Sequence, residues 1–223
     1  SNPAIIIKRF KKKKSNFWTK KLMWEKKNSF EKKKTPQKTN QVLAEADTIL
    51  NNVFVIQNVR GQLPYTDDGH RDWHYKGPNE DREWAWLSNR HTQLNTILQT
   101  YLETGNPKYA EYIDLFLRDF IIKSLPYPAE KSSTSVWRGL EVAARSKVWT
   151  RIFFGLINND IISPATQLLI LASLPDHAHY NRNFHGGNNW LTMEISALAT
   201  IAANFPEYKK SEEWLEYSIA AMT

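Results

Sequence analysis

The 223-residue chain contains no cysteine. Disulfides, thiolate metal sites and thiol nucleophiles are therefore excluded. No H-E-x-x-H, C-x-x-C or EF-hand pattern occurs, so no metal is expected. The glycine patterns of phosphate-binding loops, G-x-x-x-x-G-K-S/T and G-x-G-x-x-G, are missing, and so is G-x-S-x-G. This argues against nucleotide binding and α/β-hydrolase chemistry, and no cofactor is expected. No stretch approaches the ~18–20 apolar residues of a membrane span. What is present is aromatic and apolar mass: 41% hydrophobic residues, 13% aromatics and 9 Trp. That much apolar surface excludes global disorder, and the length can bury a sizeable core.

The net charge of +7 invites a nucleic-acid reading, but its distribution argues against one. Residues 1–40 hold 14 Lys+Arg and two acids, Glu25 and Glu31, a balance of +12. Residues 41–223 hold the other 16 Lys+Arg against 21 Asp+Glu, a balance of −5. The chain thus divides into a basic N-terminal arm, 1–40, and a mildly acidic body, 41–223. A lysine-rich arm can bind anionic glycans, lipid headgroups or nucleic acid, or form a solvated face. Phe10, Phe17, Trp18, Leu22, Trp24 and Phe30 within it suggest packing on the body or continuity with something upstream. The chain opens Ser1-Asn2-Pro3 without Met and ends inside a helical pattern at Thr223. It is read as a piece of a longer protein whose leader peptide would not be visible.

The body reads as helix after helix. Val42, Leu43, Ala46, Ile49, Leu50 and Val53 predict a helix over 39–56, and Val53–Gln57 continues its period, so no strand is expected. Turn formers between 57 and 80 predict a long irregular segment holding Tyr65, His70, Trp73, His74 and Tyr75. Trp84, Leu87, His91, Leu94, Leu98 and Tyr101 step by 3 and 4, one face of a single helix that Gly105 ends. Asn106-Pro107 opens the next, as N-cap and first-turn proline. A third helix is expected from about Ser135 to Leu156, a fourth from Ser163-Pro164, a fifth over 189–203 and a last from Ser211. Moderate links between such helices predict an all-α fold, an array, bundle or toroid of helical hairpins.

Several constellations could carry chemistry. In Phe184-His185-Gly186-Gly187-Asn188-Asn189-Trp190, two glycines permit a tight turn at a helix start, where free N–H groups and the helix dipole attract anions. One Asn suffices for a plain cap, so the second asks for another explanation. In Asn89-Arg90-His91, His91 lies in an apolar seam, as a satisfied core histidine or as a base on a cleft wall. Trp137, Arg138, Glu141 and Arg145 form either an intrahelical ion network or a cleft wall, since Arg forks match carboxylate and sulfate and Trp faces stack on sugar rings. The loop Asp72-Trp73-His74-Tyr75 is either a packed Ω-loop or a site.

A set of these segments resembles the heparinase II/III family of polysaccharide lyases. The set comprises Gly186-Gly187-Asn188-Asn189-Trp190-Leu191-Thr192-Met193-Glu194, then Phe205-Pro206-Glu207-Tyr208-Lys209 and Ser211-Glu212-Glu213-Trp214. Asp81-Arg82-Glu83-Trp84 through Asn89-Arg90-His91, Leu102 to Ala110, and Trp137-Arg138 with Leu140-Glu141 complete it. The resemblance implies an incomplete (α/α) toroid, followed in complete members by a β-sandwich domain. It also implies β-elimination on uronic-acid polysaccharides such as heparan sulfate or alginate, in the periplasm or outside the cell. By its place before Trp190, Asn189 would neutralise the uronate carboxylate, with Asn188 as the alternative. His185, Arg90, His91, Arg138, Glu141, Trp137 and Trp190 would contact substrate. The family's catalytic Tyr and His lie further along than Thr223, so the fragment alone is expected to be inactive. The expected partner is an anionic uronic-acid polysaccharide bound by a monomer, not nucleic acid. A non-enzymatic helical module that binds anionic polysaccharide is the alternative.

Overall fold

Caps written in the sequence start three of the helices. Asp81 accepts the Glu83 N–H at 2.9 Å, Asn106 accepts that of Lys108 at 3.2 Å, and Ser163 accepts that of Thr166 at 3.1 Å. Proline follows the cap at Pro107 and Pro164, where its missing N–H costs nothing. The structure, a computed structural model, describes residues 2–13 and 36–223. Its described elements run α1 (Pro3–Lys13), α2 (Pro36–Leu50), β1 (Val53–Ile56), β2 (Val59–Gln62), α3 (Arg82–Ser88) and α4 (Gln93–Thr104). They continue through α5 (Pro107–Lys123), α6 (Gly139–Gly155), α7 (Pro164–Asn183), α8 (Asn188–Asn204) and α9 (Ser211–Ala220).

Helices α4 and α5, α6 and α7, and α8 and α9 pair in succession. Alternate helices also meet: α4 packs on α6, α6 on α8, and α5 on α7. Such alternation generates two concentric layers, and the fold is all-α, an incomplete (α/α) toroid built from helical hairpins. Between the layers lie Phe116, Phe120, Trp149, Ile152 and Leu198, each 1% exposed or less. Burial of side chains this size contributes roughly 1.5–3 kcal/mol apiece. Helix α1 lies on α7, with Ile7 buried and the Phe10 ring edge-on to Phe153 at 5.6 Å. Phe17, Trp18, Leu22, Trp24 and Phe30 of the arm lie outside the described residues.

Three expectations need correction. The helix expected to run to residue 56 stops at Leu50, and Val53–Ile56 pairs antiparallel with Val59–Gln62. Gln57 and Asn58 both take positive φ, 50° and 65°, which is the two-residue hairpin turn whose twist suits the strands. The helix expected through 84–101 is two helices, broken where His91 adopts φ 59°. The helix expected from Ser135 starts at Gly139, with Arg138 as its extended N-cap. The segment after β2 is a packed loop. Trp73 is buried edge-on against Phe116 and Phe120, each at 5.0 Å, while His70 and Arg71 bind Asp119 of α5.

Candidate functional site

The starts of the inner helices α4, α6 and α8 come together at one end of the fold. Arg90, just before α4, donates Nε to Oε1 of Glu141, in the first turn of α6, at 3.0 Å. Arg138, the N-cap of α6, grips the same carboxylate from the other side, Nη2 to Oε1 at 2.8 Å. Its guanidinium lies 3.7 Å from the Trp86 ring centroid and 5.3 Å from that of Trp190, in the first turn of α8. Glu83 adds a weaker contact to Arg138 at 3.6 Å. Glu141 is wholly buried and satisfied by two guanidinium groups, so the cluster keeps a net positive charge before the rim Glu83. Three helix N-termini add their partial positive charge to the same region.

Helix α8 starts on a backbone held from behind. Its N-cap is Gly187, with no side-chain cap bond, and Asn188 takes φ 55°, a left-handed conformation that Asn tolerates. Asn188 and Asn189 are both exposed, and neither amide has a hydrogen-bond partner. A plain capping role for either is thereby excluded. Glu194, in the second turn of α8 and 1% exposed, accepts the Gly186 N–H at 2.5 Å. Its other oxygen lies against Gly139, where a Cβ would come within 1.6 Å of it. Gly139 is therefore required, and Glu194 ties the Asn turn to the start of α6. Burial raises the Glu194 pKa, opposed by the Gly186 hydrogen bond. His185 bonds the Tyr217 hydroxyl through Nε2 at 2.7 Å, and Arg182 lies 3.5 Å from the Tyr217 ring centroid.

Arg90, Arg138, Glu141, Trp190, Asn188 and Asn189 thus meet around these three helix starts, with His185 in the turn leading to α8. His91 and Trp137 do not join them: both side chains lie in the core. His91 is fully buried, and its Nδ1 accepts the Trp149 indole N–H at 2.9 Å. The proton must then sit on Nε2. Burial first, then Arg145 and His177, push its pKa well below the usual imidazole value. Trp137 is 6% exposed and donates its indole N–H to the Ser124 carbonyl at 2.7 Å, so it presents no stacking face. Arg145 leaves the expected stripe for the core, donating Nε to His177 Nε2 at 2.8 Å. The sequence reading missed Trp86, Glu83 and Glu194 as site residues. Trp86 carried a detectable signal: it is off the apolar stripe of its helix and two residues from the buried Trp84. Among the described residues no group of three or more His, Asp or Glu could hold a metal. No described helix is long and apolar enough to cross a membrane.

A two-layer helical toroid with anion-seeking helix starts around an unpartnered Asn pair matches one class of protein. The family model for the heparinase II/III N-terminus matches residues 6–223, and the chain belongs to that family. Among solved structures, heparan sulfate lyase HepC from Pedobacter heparinus superposes with a TM-score of 0.69 at 25% identity, covering 81% of this chain and 28% of that one. A heparinase III gene product with methylated lysines gives 0.69 at 25% identity, over 81% of this chain and 30% of the other. Another heparinase III shares the fold at TM-score 0.71 and 21% identity, covering 81% of this chain and 28% of that one. The chain therefore spans less than a third of the length of these proteins. No curated protein sequence matches it.

Proposed function

We propose that the chain is the N-terminal part of a periplasmic or secreted polysaccharide lyase that cleaves a uronic-acid glycosaminoglycan of the heparan sulfate type by β-elimination. One observation carries the reading: two exposed, unpartnered Asn amides at the start of α8, next in sequence to Trp190, whose ring lies 5.3 Å from the Arg138 guanidinium. Elimination removes the proton at C5 of the uronate and expels the oxygen at C4. As the C5–H bond breaks, negative charge spreads onto the carboxylate. An amide N–H donor of Asn189, with Asn188 beside it, stabilises that charge without adding an acid that would compete for the proton. Arg138, held by Glu141 and stacked on Trp86, faces sulfate or carboxylate groups, and Trp190 offers an exposed ring to a sugar face. Proton transfer falls to Tyr and His residues of the longer protein, and the 223 residues alone are inactive.

The test measures unsaturated-uronate absorbance on heparan sulfate. The chain alone gives no turnover, whereas a version extended to the length of its relatives does, and Asn189→Ala lowers its kcat. Turnover by the 223 residues alone would overturn the assignment of the base. Binding without cleavage by the extended protein would make it an anionic-glycan-binding module instead.

A further inference from the structure

A groove of about 790 Å3 runs between α2, the β1–β2 hairpin and the start of α4, and Arg90 is part of its wall. Its volume lies within the ~300–1,000 Å3 of ligand pockets. The hairpin shapes it. Gly61 lets β2 lie on Trp84, where a Cβ would come within 2.8 Å of the ring. Phe54, paired with Gly61 across the hairpin, stacks on the same ring at 6.3 Å. Strand alternation then turns Arg60 and its partner Val55 to the other face, where both are exposed. Buried Ile49 and Phe54 give the groove an apolar floor.

Arg90 belongs to the groove and to the Asn cluster at once. Its Nε is fixed on the buried Glu141 carboxylate at 3.0 Å, and its terminal nitrogens make no hydrogen bond among the described residues. The guanidinium is thus anchored at one edge and free at the other. Glu141 also holds Arg138, whose guanidinium lies 5.3 Å from the ring of Trp190, the neighbour of Asn189. Arg60 has no ion pair among the described residues. Glu45 is the single acid of the lining, and it accepts the Thr96 hydroxyl at 3.3 Å. The groove is therefore positive within a body that is acidic overall, and the lysine-rich arm has the wrong sign to occupy it. Neutral polar groups are also free. Thr92 stands at the N-cap of α4 without making a cap bond. Gln93 gives Nε2 to the Ser88 carbonyl at 3.1 Å and keeps its amide oxygen. An apolar floor suits the C–H face of a sugar ring, the hydroxyl and amide suit its hydroxyls, and guanidinium groups suit its acid groups.

Resting on the lyase reading, we propose that this groove holds the sugar units next to the one at Asn188–Asn189. The bound anionic polysaccharide then runs from the start of α8 past Arg138 and Arg90 to Arg60. Arg90 and Arg60 bind its carboxylate or sulfate groups, and Thr92 and Gln93 bind its hydroxyls. The hairpin makes the site one for a polymer rather than for a short fragment.

The experiment titrates the 15N-labelled 223-residue chain with a heparan sulfate hexasaccharide. The backbone amide peaks of Thr92 and Gln93 and the side-chain amide peaks of Asn188 and Asn189 move saturably, with one shared dissociation constant. Arg60→Gln, on an exposed strand position, raises that constant about fivefold at low salt. Lys209→Gln removes the same charge on the turn between α8 and α9 and leaves it unchanged. Neutral maltohexaose, of the same length, does not move the Thr92 and Gln93 peaks saturably. Movement of the Asn peaks alone would overturn the groove and leave the lyase reading standing. Movement of the groove peaks with a different constant would make it a separate site and overturn the continuity. Movement nowhere would remove both readings. An equal loss in Lys209→Gln, or equal movement by maltohexaose, would also overturn the proposal.

Discussion

Helices α4 and α8 start in nearly the same way and end with opposite chemistry. Each has a non-glycine residue in the left-handed region at or just before its start, His91 at φ 59° and Asn188 at φ 55°. His91 turns its ring inward, boxed by Phe120 at 4.3 Å and Phe116 at 4.9 Å. Asn188 turns outward with its amide free. The backbone device is shared, and the neighbours decide its use. Behind His91 are aromatic rings and the Trp149 N–H. Behind Asn188 is the Glu194 carboxylate, which takes the Gly186 N–H and leaves the two Asn side chains to the solvent.

The contrast can be broken most strongly at Asn189. On the proposed role, Asn189→Ala in a version extended to the length of its relatives should reduce kcat about 100-fold or more, the usual cost of removing one donor to a developing oxyanion. Thermal unfolding of the 223-residue chain should not move. On the inward side, His91→Ala should cost about 3 kcal/mol in urea denaturation, from lost ring packing and an orphaned Trp149 N–H. Gly139→Ala forces Glu194 from its seat and should cost about 2 kcal/mol, an overpacking-sized effect. It should also shift the Asn188 and Asn189 amide resonances, which His91→Ala should not.

Acid sharpens the same comparison. His91 and His177 are both buried, and burial holds their folded pKa values well below the usual 6.5. As pH falls, the unfolded chain takes up these protons before the folded one does. Stability is therefore complete above about pH 6.5 and is lost below it, by roughly 1.4 kcal/mol per pH unit for each histidine. His91→Phe should about halve that slope in urea midpoints measured from pH 7 to 5. The smallest effect is expected at Asn188→Gly. Glycine accepts positive φ, the side chain is exposed, and stability should stay within about 0.5 kcal/mol.

Much of this architecture was legible from periodicity and caps. Asn106-Pro107 and Ser163-Pro164 start helices where the sequence says they do. The hairpin escaped because Val53–Ile56 extends a helical period, and its turn is Gln57-Asn58 rather than an Asn-Gly signal. The break at His91 escaped because Trp84, Leu94 and Leu98 still fall on one stripe across it. At the candidate site, the Asn pair and Arg138 could be named from residue type. Trp137 and Trp86 could not be told apart as stacking faces, since that depends on where the loop before α6 crosses α3, a long-range contact.

The seat of the Glu194 carboxylate on Gly139 makes two positions 55 residues apart behave as one inherited unit. A side chain can appear at 139 only in a background where 194 has already shortened, and a shortened 194 releases the Gly186 N–H that shapes the Asn turn. Substitutions at 139 should therefore be tolerated singly almost nowhere and in pairs only with altered chemistry at the turn. In a library randomised at both positions, survivors selected for folding should keep the pair or lose both members, and survivors selected for activity should keep both.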